Sequence, residues 1–454
     1  MNTPIYDFLV EYQRRQPTRL HMPGHKGKEL LLGPEALDIT EIDGADNLYH
    51  PEGIIAKSEA NASSLFGAHT FYSTEGSSLS IRAMLFLFVR YCLNTGRKPY
   101  ILAGRNAHKT YINTAALLNI ETDWIWGQAE DSYEECRIDG AMLEERLASL
   151  EQKPAALYVT TPDYLGNLLP IRELSEVCRR HGMLLLVDNA HGAYLRFLTP
   201  SMHPIDLGAD LCADSAHKTL PVLTGGAYLH ISPKADEFFR VNALAAFEMF
   251  GSTSPSYLLM ASLDLCNAFL ETLPKKLSVF LPKLAALKED IARLGYSVRN
   301  SEPLKLVIES DLTSPGVKGL GCRKMAEALM KEDIYPEYYD AKHLVLMVTV
   351  SNEEAELSKL KDVLSALATK WDGLKDTSID DGPSKPSAPP ERVLSAHEAV
   401  FCEQEELPGS ECYGRILAAA SVSCPPAVPV YMMGERIETA FSDERKYRVV
   451  KEKR

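Results

Sequence analysis

The sequence holds no Cys-x-x-Cys spacing, although it contains nine cysteines. These are scattered and odd in number, so neither a disulfide framework nor a zinc site is written in them. Positive charge is not in excess either: 48 Lys and Arg stand against 62 Asp and Glu, a formal net charge of −14. An overall anion lacks the electrostatic footprint of a nucleic-acid binder or of a protein drawn to an acidic membrane. Long apolar runs are missing as well. The longest, Ala83 to Val89, is too short to cross a bilayer, and Met1 to Val10 lacks the basic then apolar pattern of a signal peptide. These absences point to a cytoplasmic protein with no nucleic-acid and no membrane partner. What is present is an ordinary globular composition, 45% hydrophobic and 24% charged over 454 residues, enough for two or three domains.

After a short amphipathic start (Ile5, Phe8, Leu9, Tyr12), Leu20 to His50 is rich in Gly, His, Asp and Pro without a sustained period. A stretch of that length is expected to be functional or to dock on a partner surface. Short β-branched or apolar runs then follow at Thr70–Ser73, Tyr100–Ala103, Trp124–Trp126, Ala156–Thr160, Met183–Val187, Leu211–Ala213 and Ala227–Ile231. Helix-period segments separate several of them: Ser78–Leu93, Met142–Leu150 and Ile171–His181. Such alternation predicts an α/β unit with a mostly parallel sheet covered by helices. Ser262 to Leu294 reads as long and helical. A strand (Leu304–Ile308), a helix (Arg323–Lys331) and two more strands (Ile334–Tyr338, Leu344–Val350) make a small α+β unit. Thr377 to Pro390 has a linker composition. The expected organisation is an N-terminal segment (1–60), a major domain (61–262), a small domain (263–373), a linker (374–392) and a C-terminal α+β segment (393–454) ending in a charged tail.

Four pieces in the major unit sit where a predicted strand ends, the edge at which open α/β sheets bind ligands. Ser73-Thr74-Glu75-Gly76-Ser77-Ser78 opens a helix with small residues, offering free N–H groups and hydroxyls to a phosphate; the same residues would also cap any helix. Asn106-Ala107-His108-Lys109 places an imidazole able to stack on a flat ring. Met183–Val187 runs into Asp188, and a carboxylate in an apolar shell calls for a cation; a protonated pyridine nitrogen is one such cation, a metal another. Asp214-Ser215-Ala216-His217-Lys218-Thr219 offers a lysine suited to a Schiff base. Phosphate loop, stacking residue, strand-end Asp and a Lys about 30 residues later form the chain order of pyridoxal-phosphate enzymes with an aspartate-aminotransferase-like (fold-type I) architecture.

The wording of the motifs narrows this. Leu20-His21-Met22-Pro23-Gly24-His25-Lys26-Gly27, Asp188-Asn189-Ala190-His191-Gly192-Ala193, Ser215-Ala216-His217-Lys218-Thr219-Leu220 and Ser252-Thr253-Ser254-Pro255-Ser256-Tyr257 resemble the Orn/Lys/Arg decarboxylases. The likeness is to the short bacterial type that lacks an N-terminal wing domain. It extends to Pro425-Pro426-Ala427-Val428-Pro429 and Gly434-Glu435-Arg436-Ile437. The resemblance implies that Lys218 binds pyridoxal 5'-phosphate covalently and that Asp188 partners its ring nitrogen. His108 and Ala190 would take the two ring faces. Gly76, Ser77, Ser78, Ser215 and His217 would hold the phosphate, with Thr253 reaching it from a neighbouring subunit. A homodimer with a shared site follows, or a higher oligomer. The sequence departs from the family at Asn189 (usually Glu), Ala216 (usually Thr or Val), Glu75 (usually uncharged) and Asp163 (usually a hydroxyl residue).

The implied activity is decarboxylation of a basic amino acid: arginine first, then lysine or ornithine. Lys218 or a nearby imidazole such as His217 would return a proton to the substrate α-carbon, and Asp46 and Asp163 are candidate partners for its distal cation. Aminotransfer or β-elimination on the same fold, and a non-catalytic cofactor-binding homologue, are the alternatives. The C-terminal segment carries no chemistry of its own, and covering the partner's active-site entrance is a place for it.

Overall fold

Seven short apolar runs pair into one sheet in the computed structural model, which describes residues 1–28, 32–371, 385–386, 388–420, 422, 426–439, 441 and 445–452. The strands are β1 (His69–Ser73), β2 (Tyr100–Gly104), β3 (Glu121–Ile125), β4 (Ala156–Thr160), β5 (Leu184–Asp188), β6 (Leu211–Asp214) and β7 (Ala227–Ile231), in the spatial order β1-β7-β6-β5-β4-β2-β3. β7 alone runs antiparallel to its neighbours; the contacts from β6 through β3 are parallel. The central strands are buried along their length, as a sheet covered on both faces requires. The helix Gly76–Asn94 covers β7 and β6 with Leu79, Ala83, Leu87 and Phe88 fully buried. It is long and apolar enough to cross a membrane by length and composition, but half of it is buried inside the protein.

Trp124–Trp126, expected as a strand, gives way to Glu121–Ile125. This is the sheet's edge, where four of five residues stay partly exposed and charged side chains interrupt the apolar pattern. The long helical stretch divides at Glu271–Thr272 into Tyr257–Leu270 and Leu273–Arg293. Beyond it lies a second, antiparallel sheet of β8 (Ser297–Val298), β9 (Lys305–Glu309), β10 (Tyr338–Tyr339) and β11 (His343–Met347), in the order β10-β11-β9-β8. Of the expected strand Ile334–Tyr338 only its end pairs, Tyr338 in register with Val345 and Glu337 donating its N–H to the Val345 carbonyl at 3.0 Å, because Asp333 turns the chain with φ +54° and Pro336 has no N–H to give a ladder. β12 (Gln404–Pro408) and β13 (Lys446–Val450) form a separate antiparallel pair, with Tyr447 and Val449 buried in a small apolar cluster. Residues 374–384 and 387 of the expected linker, residues 372–373 of the expected small domain, Pro425 and part of the charged tail fall outside the described residues.

The N-terminal segment is anchored rather than loose. Ile5 and Tyr6 donate their backbone N–H groups to Asp264 Oδ2 at 2.9 and 3.0 Å, and the buried Arg19 guanidinium donates to the carbonyls of Ala36 and Asp38. Leu20 and Met22 nevertheless stay 91% and 62% exposed.

Candidate functional site

The ends of β1, β2, β4, β5 and β6 open on one edge of the sheet. There Ser77, His108, Asp188, Ala190, His191 and Lys218 line a cavity of about 440 Å³, a size usual for small-ligand sites. β5 and β6 are adjacent and parallel, with Asp188 opposite Ala213, so the chain delivers Asp188 and Lys218 to the same edge. Asp188 is 2% exposed and accepts hydrogen bonds from the Tyr158 hydroxyl and the Ala190 N–H, both at 3.2 Å. Burial raises its pKa, while the Lys218 charge pulls the other way. A carboxylate in this condition favours a further cation in the cavity. That is the environment a protonated pyridine nitrogen fits.

His108 caps the helix Lys109–Leu117, its Nδ1 accepting from the Thr110 N–H at 3.1 Å. Burial and the Lys218 and Lys109 charges push its pKa down to about 4, leaving a neutral, fixed imidazole at the cavity wall. Gly76 opens its helix with φ +71°, a conformation that suits glycine, and donates its N–H to the Gly225 carbonyl at 2.7 Å. The following hydroxyls interlock with the other loops: Ser215 Oγ donates to Ser77 Oγ at 2.7 Å, and Ser78 Oγ pairs with Thr110 Oγ1 at 3.1 Å. Hydroxyls and free N–H groups at a helix start provide the donors a phosphate needs. His217 lies beside Lys218 with Nδ1 3.1 Å from the Gly226 carbonyl, away from the cavity lining.

The remaining candidates lie elsewhere. Asp46 accepts from the backbone N–H groups of Asn47, Glu52, Gly53 and Ile55, which lower its pKa against the opposing effect of burial. It fastens the start of the helix Ile54–Phe66. Asp163 is 3% exposed and turns to Asn167, which donates its backbone and side-chain N–H groups at 2.9 and 2.6 Å; burial raises its pKa to about 6. Neither carboxylate is in the cavity lining, whose acids besides Asp188 are Glu134 and Glu337. Thr253 is exposed outside the cavity, on a loop that Glu75 holds by accepting the Ser252 N–H at 2.7 Å.

Several lining residues were not singled out from the sequence. His191 stands three residues past Asp188, inside the same motif, with Nε2 2.8 Å from Lys218 Nζ. Tyr164 sets its edge against the His191 ring, centroids 5.0 Å apart, and donates its hydroxyl to Glu337 Oε1 at 2.6 Å. Pro426 and Val428 of the C-terminal segment wall the cavity of their own chain, and Ala427 accepts the Lys109 N–H at 2.9 Å.

A sequence profile described as the Orn/Lys/Arg decarboxylase major domain matches residues 3–314. An arginine decarboxylase of Bacillus anthracis is 29% identical over 96% of this chain and 90% of its own length. One of Bacillus subtilis is 28% identical over 96% and 91%. Among solved structures, a lysine decarboxylase of Francisella novicida superposes with a TM-score of 0.77 over 96% of this chain and 75% of its own, at 17% identity. Lysine decarboxylase A of Pseudomonas aeruginosa gives 0.78 over 95% and 74%, also at 17% identity. A lysine and an aspartate lining one cavity, on a fold those structures share and under a profile covering most of the chain, mean that the chain belongs to the Orn/Lys/Arg decarboxylase family and is a pyridoxal-phosphate-dependent amino acid decarboxylase.

Proposed function

We propose that this enzyme removes the α-carboxylate of a basic amino acid as carbon dioxide, arginine first and lysine or ornithine next, yielding an amine that is a polyamine or its precursor. The observation that carries this reading is the cavity itself, where Lys218, Asp188 and His108 meet and where Glu134 and Glu337 add acids beyond the one the cofactor uses. The two Bacillus relatives named arginine decarboxylase favour arginine.

Bound pyridoxal phosphate supplies a protonated ring that accepts the electron pair released as the carboxylate departs. Lys218 would bind it covalently, Asp188 would keep the ring nitrogen protonated, and His108 and Ala190 would take its faces. Gly76, Ser77, Ser78, Ser215 and His217 would hold the phosphate, with Thr253 of a neighbouring subunit completing the cradle in a homodimer or larger assembly. The exposure of Thr253, Leu20 and Met22 supports that arrangement. Glu337, fixed by Tyr164 at the exposed side of the cavity, is suited to the distal cation of the substrate. How the substrate is oriented in the cavity selects which bond at the α-carbon breaks. The reading includes a cytoplasmic location and the division at residues 60, 262, 373 and 392.

Carbon dioxide release from arginine, lysine and ornithine, with the amine products weighed by mass spectrometry, tests the reading. Release from one of the three, most from arginine, is expected. Transamination or elimination products without carbon dioxide from any of them would overturn it.

A further inference from the structure

We propose that His191 is the proton-handling partner of Lys218: its imidazole holds the lysine amino group in place and exchanges a proton with it during turnover. The inference rests on the decarboxylase reading above and assigns within it a role that the sequence left to Lys218 or His217.

Geometry separates the two histidines. His191 Nε2 lies 2.8 Å from Lys218 Nζ, and His191 lines the cavity. His217 spends Nδ1 on the Gly226 carbonyl and is not in that lining. His191 is also fixed. It is 5% exposed, and Tyr164 is set edge-on against its ring at 5.0 Å and 67°. Tyr164 is held in turn by its bond to Glu337 and by Lys305, whose ammonium donates to the neighbouring Asp163 carbonyl at 2.8 Å. The proton path between Lys218 and His191 is therefore a single short hydrogen bond between restrained groups.

The surroundings suit a transient carrier. Lys218 and His217 face His191 from the short helix after β6, Lys305 from β9, and His108 from the loop after β2, with the Tyr164 hydroxyl and Glu337 beyond the ring. Burial first, and then these positive neighbours, hold the imidazole pKa well below its ordinary value. The ring is thus neutral, and whenever Lys218 is free of the cofactor it accepts from the lysine ammonium. Once protonated it is a strong acid that gives the proton back promptly. The transfer balances: the Nζ–H bond breaks as the Nε2–H bond forms, the ammonium becomes an amine, the imidazole becomes an imidazolium, and the total charge is unchanged. His191 Nδ1 is buried without a hydrogen-bond partner, so no carboxylate or carbonyl anchors a proton on the ring and competes with Lys218.

His191→Phe preserves the ring packing and removes both nitrogens; His191→Gln keeps an amide near Nζ but carries no proton. Two readouts apply to the cofactor-loaded protein. One is the pH midpoint of the cofactor–Lys218 absorbance band without substrate. The other is the fraction of turnovers misprotonated away from the α-carbon, which hydrolyse to an aldehyde and leave the amino group on the cofactor. The expected result is a midpoint shift of about one unit in His191→Phe and a misprotonated fraction raised about tenfold in both variants. A wild-type midpoint in folded His191→Phe, or a wild-type misprotonated fraction in either folded variant, overturns the proposal, as does failure of both variants to fold. If the wild-type enzyme releases no carbon dioxide from any basic amino acid, the functional reading falls, while the substrate-free titration still reports on the His191–Lys218 pair.

Discussion

Arg105 and Glu435, 330 positions apart, meet in a bidentate pair with Nη1–Oε1 and Nη2–Oε2 distances of 2.9 and 2.7 Å, both side chains 5% exposed. Arg105 also donates to the Val430 carbonyl at 2.8 Å and lies over the Trp124 and Trp126 rings. It precedes His108 by three residues, so one guanidinium joins the loop carrying that imidazole to the segment carrying Pro426 and Val428. Removing one partner strands a buried charge. Glu435→Ala is expected to cost about 3–5 kcal/mol in chemical denaturation and to speed cofactor loss. The double variant Arg105→Met with Glu435→Leu is expected to recover part of that stability.

Protonating His108 is expected to destabilise the fold. Its folded pKa, about 4, lies below the unfolded value near 6.5, so the unfolded chain binds more protons between those limits. Stability therefore falls as pH drops from about 6.5 to about 4 and levels off below. The contribution is up to about 3 kcal/mol. Urea unfolding of wild type and His108→Asn at pH 7 and pH 4.5 measures it; the variant is expected to lose less stability over that interval.

Asp188 separates function from stability. Because burial raises its pKa, the ionised carboxylate opposes folding of the empty protein above the ordinary carboxylate range. Asp188→Asn is expected to leave the cofactor-free protein as stable as wild type or more so. Its kcat is expected to fall about a hundredfold or more, through loss of the charge that keeps the ring nitrogen protonated. Thermal melts with and without pyridoxal phosphate, beside steady-state kinetics, check both halves.

For Glu337, charge should matter more than shape. Glu337→Gln retains an acceptor for the Tyr164 hydroxyl but loses the anion. It is expected to raise KM for the basic substrate about tenfold, equal to about 1.4 kcal/mol of a charge-assisted contact, with kcat nearly kept. Steady-state kinetics on the preferred amino acid decides it.

Local chemistry made much of the main sheet legible: strands buried on both faces announce themselves as apolar runs, and Asp188 and Lys218 stand where such runs end. The edge strand β3 and the two-residue β10 were harder to read, one because Glu121 and Asp123 break its pattern, the other because Pro336 and the turn at Asp333 leave little to pair. Within the site, Asp46 and Asp163 read as free carboxylates because the backbone and Asn167 groups that occupy them come from turns invisible in composition. His191, Tyr164, Glu337 and the Arg105–Glu435 pair gain their meaning from approaches between distant segments. His191, three residues past Asp188, and Glu435 left a local trace, each lying inside a motif that the sequence made visible.

Borohydride reduction of the cofactor-loaded enzyme followed by peptide mapping is the most direct check on how the cofactor is held. A pyridoxyl group on Lys218 is the expected result. A stable label on any other lysine, with Lys218 unmodified, would contradict it.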